Sequence, residues 1–131
     1  MYSSYDVGKQ LDRERGYLDL ANYDYESLFS TTFPMNKADR IATFDSGSTH
    51  AMTLSAVDLD KDGKPLKWKV ENSWGLNYGA EGCLIMSNRW FNEYMFRLVV
   101  DKKYVPENLL KEFEQKPLMV MPEDPLFGED D

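Results

Sequence analysis

The chain has 131 residues, 42% of them hydrophobic, and carries a formal net charge of −8 at pH 7. That length and apolar content suit one domain with a real core and exclude a disordered chain. The acidic balance excludes a phosphate-binding surface, because affinity for nucleic acid comes largely from Lys and Arg displacing counterions.

No apolar run approaches the roughly 20 residues that a bilayer-crossing helix needs, and Met1-Tyr2-Ser3-Ser4-Tyr5-Asp6 has neither a basic nor an apolar leader character. The expectation is a soluble, cytoplasmic protein without a membrane partner. A lone cysteine, Cys83, precludes an internal disulfide, and with one histidine, His50, the chain cannot assemble a Cys/His zinc site of its own. Neither a metal nor a cofactor is expected.

Residues 1–35 are rich in Tyr, Asp and Gly without sustained periodicity, which predicts loops with at most one helical turn over 25–29. Asn36 can cap a short helix over 37–41, and Asp45-Ser46-Gly47-Ser48 breaks it. From 50 to 59 the sequence HAMTLSAVDL alternates, with Met52, Leu54 and Ala56 facing one way and Ala51, Thr53, Ser55 and Val57 the other. That is a strand. Turn residues come next at 60–65, and a second strand over 67–72 places Trp68 and Val70 on one face, completing a hairpin.

A third strand is expected over 83–87, then a short helix from 88 to 91 or 92, then a β-rich run over 94–100. Pro106, Glu107 and the apolar spacing Leu109, Leu110, Phe113 mark an exposed helix. Residues 117–131 contain three prolines and should be extended. No internal repeat or linker divides residues 1–131, which read as a single α+β unit dominated by antiparallel strands, with short helices.

Three features have bland explanations. Asp58-x-Asp60-x-Asp62-Gly63 imitates half of a calcium loop, but its twelfth position is Lys69, where a bidentate acid is required, so it reads as a hairpin turn. Trp90, Phe91, Tyr94 and Phe96 read as core aromatics. Cys83, between Gly82 and Leu84 on a predicted strand, reads as a small buried hydrophobe rather than an activated nucleophile.

A histidine opening a strand is by default structural. The residues downstream of His50 change that reading. Asn72 closes the paired strand, so the hairpin carries an imidazole and a carboxamide to one rim of the sheet. Asn72-Ser73-Trp74-Gly75, with Gly79 and Gly82 spaced as W-G-x-x-x-G-x-x-G, is the N-S-W-G signature of papain-like peptidases. In such enzymes a thiolate attacks, an imidazole serves it, and an amide holds the imidazole in the right tautomer. Trp74 would shield that contact from water, which competes for a neutral hydrogen bond worth only about 1 kcal/mol net.

Thr49-His50-Ala51-Met52, the run Lys67-Trp68-Lys69-Val70-Glu71-Asn72-Ser73-Trp74-Gly75 and Asp6-Val7-Gly8-Lys9 narrow the resemblance to the bleomycin hydrolase and aminopeptidase C family, over nearly the whole chain. The resemblance implies the C-terminal half of a papain-like fold, an antiparallel half-barrel, with His50 and Asn72 catalytic and Trp74 supporting them. It also implies a cytoplasmic cysteine aminopeptidase that removes N-terminal residues from peptides, assembles as a homo-oligomer, and places a C-terminal arm, here about 117–131, in its cleft.

Three departures from the family pattern bear on that expectation. The family's nucleophilic Cys and oxyanion-hole Gln lie upstream, in a helical half absent from these residues, so the chain is expected to be inactive alone and to meet a peptide only when completed by a Cys-bearing half. The segment before Asp6 should be a strand of the sheet, and its start at Met1 is expected to leave a truncated or exposed edge. The ending Phe127-Gly128-Glu129-Asp130-Asp131 is more acidic than the family's. The alternative readings are a non-catalytic interaction or assembly module and a truncated remnant of the peptidase.

Overall fold

A computed structural model describes residues 1–127. Seven strands form one mixed sheet. They are β1 (Tyr2–Tyr5), β2 (Leu11–Asp12), β3 (Tyr17–Leu18), β4 (His50–Leu59), β5 (Pro65–Glu71), β6 (Cys83–Ser87) and β7 (Met95–Val99), in the order β2-β3-β6-β5-β4-β1-β7. The helices are short: α1 (Tyr25–Phe29), α2 (Lys37–Ala42), α3 (Asn88–Tyr94) and α4 (Glu107–Phe113).

The long hairpin of β4 and β5 is the spine. Alternation buries Met52, Leu54 and Val70, and the turn closes as its residue types require, with Asp60 Oδ1 accepting from the amides of Asp62 and Lys64 and Gly63 at φ 78°. The mimic of a calcium loop is therefore this turn. Beyond Leu54 the pairing slips by one residue before Ala56, and Ala56 is exposed rather than aligned with Met52 and Leu54 on the core side.

The core gathers Tyr5, Leu18, Met52, Val70, Leu84, Met86 and Trp90, each at most 2% exposed. Burying each large apolar side chain contributes roughly 1.5–3 kcal/mol. Trp90 is the centre. Ser87 caps α3 by accepting from the Trp90 amide, and the indole Nε1 donates to the Lys9 carbonyl at 2.8 Å while the ring packs against Tyr5 and Tyr94. Phe91 stacks on Trp68 with centroids 4.6 Å apart. Trp90 and Tyr94 are core, as expected, and Phe91 packs against it, so α3 runs through Tyr94, whereas Phe96 is only half-buried, beneath Lys37, and is not part of the core.

Three expectations need correction. Residues 1–35 contain α1 as predicted but also β1, β2 and β3. Two of these strands are only two residues long, and in β1 Ser3, Ser4 and Tyr5 are all buried, so no alternation could show. The edge expected at the first strand is absent: β1 pairs with β4 on one side and β7 on the other. Antiparallel pairs dominate the sheet, as expected, with one parallel pairing of Tyr17 and Leu18 against Ile85 and Met86. The stretch from 117 is non-helical up to a 3-10 turn at Pro125–Phe127, where Asp124 accepts from the Leu126 amide and the turn packs against α2. The acidic ending at 128–131 lies outside the described residues.

Among the described residues no helix is long and apolar enough to cross a membrane.

Candidate active site

His50 begins β4 directly opposite Tyr5 of β1. The loop before it is held from a distance: Ser46 donates to Asp6 at 2.7 Å, Lys9 pairs with Asp45 at 3.1 Å, and the Thr49 amide donates to the Tyr5 carbonyl at 3.0 Å. Thr49 Oγ1 also accepts from the Val7 amide at 3.3 Å. Asp6 is only 5% exposed. Burial pushes its carboxyl above the usual carboxylate range, against the downward pull of Ser46, Lys9 and the Gly47 backbone. Asp6 and Lys9 carried no signal of their own beyond a family resemblance. Their contacts span some 36 to 40 positions, so no local pattern could have revealed them.

Asn72 comes directly after β5, and its backbone amide donates to the Gly82 carbonyl at 2.9 Å. The glycines of the motif shape the loop between. Gly75 and Gly82 take φ of 97° and 81°, and a Cβ on Gly79 would lie 2.2 Å from the Cys83 carbonyl oxygen.

The two side chains meet. His50 Nε2 lies 2.8 Å from Asn72 Oδ1, and the same oxygen accepts from the Ser73 amide at 2.8 Å. A backbone N–H can only donate, so it identifies that Asn72 atom as the oxygen. The imidazole must then donate through Nε2, and in the neutral ring Nδ1 is the basic nitrogen. Trp74 stacks on the imidazole with centroids 5.1 Å apart and planes 29° apart. Two further residues hold the indole: the Arg13 guanidinium lies 5.8 Å from its centroid, and Tyr78 meets it edge-on at 6.0 Å. Neither was legible from spacing, because Arg13 belongs to a different part of the chain.

Cys83 pairs with Glu71 across β5 and β6 and makes no hydrogen bond to His50. A directed Nδ1 on an oriented imidazole can take a proton from a donor presented to it. No sulfur within the described residues is engaged in that way.

The fold and this pair have a solved counterpart. PepW of Lactobacillus rhamnosis superposes with a TM-score of 0.87 and 42% identity, over 97% of this chain and 29% of its own. That defines a papain-like peptidase half-barrel. A model of the Peptidase C1-like family matches residues 1–127, and the chain belongs to that family. Bleomycin hydrolase of Rattus norvegicus is 45% identical over 124 residues, covering 92% of this chain and 27% of the relative. Aminopeptidase C of Lactococcus lactis subsp. lactis is 42% identical over 121 residues, covering 92% of this chain and 28% of the relative. The chain thus spans little more than a quarter of the length of these relatives.

Proposed function

We propose that this chain supplies the base-bearing half of a cysteine aminopeptidase site, with His50 as acid and base, Asn72 as its orienting amide and Trp74 as its cover. The attacking thiol and the oxyanion donor would come from a segment outside these 131 residues, and the chain alone would not turn over peptide. The single observation supporting this reading is the Asn72 oxygen shared by Ser73 N–H and His50 Nε2, which leaves Nδ1 basic. Exposed Leu76 and Tyr78, beside Trp74 on the same loop, are apolar groups that a docked thiol-bearing half would cover.

The chemistry derives from that geometry. Nδ1 takes the thiol proton, and the resulting thiolate adds to the carbonyl carbon of the N-terminal residue. The imidazolium returns the proton to the leaving amine as the C–N bond breaks, giving a thioester. A water molecule, deprotonated at Nδ1, then hydrolyses that thioester and regenerates the thiol. Asn72 Oδ1 accepts a hydrogen bond from Nε2–H throughout, so the ring need not reorient. A cytoplasmic setting, where thiols stay reduced, and assembly into a homo-oligomer belong to the same reading.

Mixing this chain with a separately prepared thiol-bearing half should restore cleavage of an aminoacyl amide. A confirmed complex with no rate above background would sink the reading.

A further inference from the structure

The indole of Trp74 links the catalytic pair to a cation from the start of the chain. Arg13 stands in the turn between β2 and β3, and its guanidinium carbon lies 5.8 Å from the indole centroid, while the imidazole of His50 is centred 5.1 Å from the same side chain. A guanidinium within about 6 Å of an indole is attracted by the ring's quadrupole. Trp74 is only partly buried, so packing alone leaves the ring room to swing away from the bond it covers.

The Arg13 side chain has no competing partner. Arg15, Arg40 and Arg89 pair with Asp12, Glu93 and Asp19, whereas the Arg13 guanidinium makes neither an ion pair nor a hydrogen bond among the described residues, although the chain has 23 acidic residues against 15 basic ones. The turn that carries it is placed without that side chain. Asp12 Oδ1 accepts from the Arg15 amide at 3.0 Å, the Gly16 carbonyl accepts from the Ile85 amide at 2.9 Å, and a Cβ on Gly16 would lie 2.3 Å from the Cα of Gly79. The turn thus rests backbone to backbone on the loop that bears Trp74, and it brings Arg13 to the indole with no help from the guanidinium itself.

We propose that Arg13 is a positioning residue for His50, acting through Trp74: the guanidinium holds the indole over the hydrogen bond between His50 and Asn72 and so keeps water from it. The proposal takes the peptidase reading as its premise for any effect on turnover, and adds to it a residue that touches none of the reacting groups.

Exchange of the His50 Nε2 proton with water, followed by NMR in the chain itself, reports how often the indole is displaced. Arg13→Ala should speed that exchange about three-fold, the equivalent of an exposed cation–π contact. Arg13→Lys should recover part of the protection, because it keeps the charge and loses the planar stack. Arg15→Ala removes a cation from the same turn but not from the indole, and should leave the exchange unchanged. The dispersion of each spectrum shows that the variant is folded. In the enzyme assembled with a thiol-bearing half, Arg13→Ala should lower kcat about three-fold with KM unaltered. Unaltered exchange or unaltered kcat in folded Arg13→Ala, no recovery in Arg13→Lys, or equal acceleration in Arg15→Ala overturns the proposal. The premise fails separately: an assembled native enzyme without turnover, whose His50 proton is still protected by Arg13, removes the peptidase and keeps the clamp on the ring.

Discussion

The imidazole of His50 lies against the indole of Trp74, at a centroid separation of 5.1 Å. The indole therefore protects a hydrogen bond that water would otherwise contest. Replacing Trp74 with Ala should lower kcat/KM of the assembled enzyme by about ten-fold, since exposure forfeits a neutral hydrogen bond worth about 1 kcal/mol and some ring orientation. Trp74→Phe should recover most of it. Steady-state kinetics with circular dichroism as a folding control provides the check.

Asn72→Ala removes the oxygen that fixes the tautomer. Its kcat should fall by about 10²-fold, within the range attributed to a positioned acid or base. The distinguishing readout is the nitrogen NMR spectrum of His50 in the neutral ring. Native protein should show the proton on Nε2, and the variant a mixture of both tautomers. An unchanged spectrum would mean that Asn72 does not direct the ring.

Asp6 gives a pH dependence whose sign can be worked out. Its carboxyl is raised by burial, so the folded protein holds that proton more tightly than the unfolded chain does. The associated stability is fully present below the ordinary carboxylate value and is lost as pH rises through the raised one. Asp6→Asn should flatten the denaturation midpoint in that window. Because Asn still offers an oxygen to Ser46, the loop before His50 should stay in place.

Gly79→Ala should be costly. The new methyl would sit 2.2 Å from the Cys83 carbonyl oxygen at a φ of 62°, and backbone strain with a clash should destabilise by about 2 kcal/mol or more. Urea unfolding measures it directly.

Cys83→Ser tests the alternative nucleophile. The assembled enzyme should keep its rate, because the thiol pairs with neither His50 nor any activating cation among the described residues. Loss of turnover in a folded variant would return Cys83 to the mechanism.

The hairpin was readable because the alternation read over 50–59, which holds as far as Leu54, and over 67–72 reports a half-buried sheet, and because the Asn72-Ser73-Trp74-Gly75 motif places its ends. The Asn36 cap was readable for the same local reason, and the structure adds the reciprocal contact: Asn36 accepts from the Asp39 amide, and the Asp39 carboxylate accepts from the Asn36 amide. The features that stayed hidden depend on distant partners. The Ser3, Ser4 and Tyr5 strand is defined by neighbours near 50 and 97 rather than by its own pattern. Arg13 on Trp74 and Asp6 on Ser46 likewise join segments whose separation carries no local periodicity.

Because β1 is wedged between β4 and β7, the first few residues cannot settle until a segment more than ninety positions later arrives to close their far side. Such non-local pairing is slow, since a long loop must be ordered before the contacts reward it. The histidine's location thus rests on pairing between segments far apart in the chain. An excised 50–72 ribbon would carry the catalytic letters without the neighbour that sets where they stand.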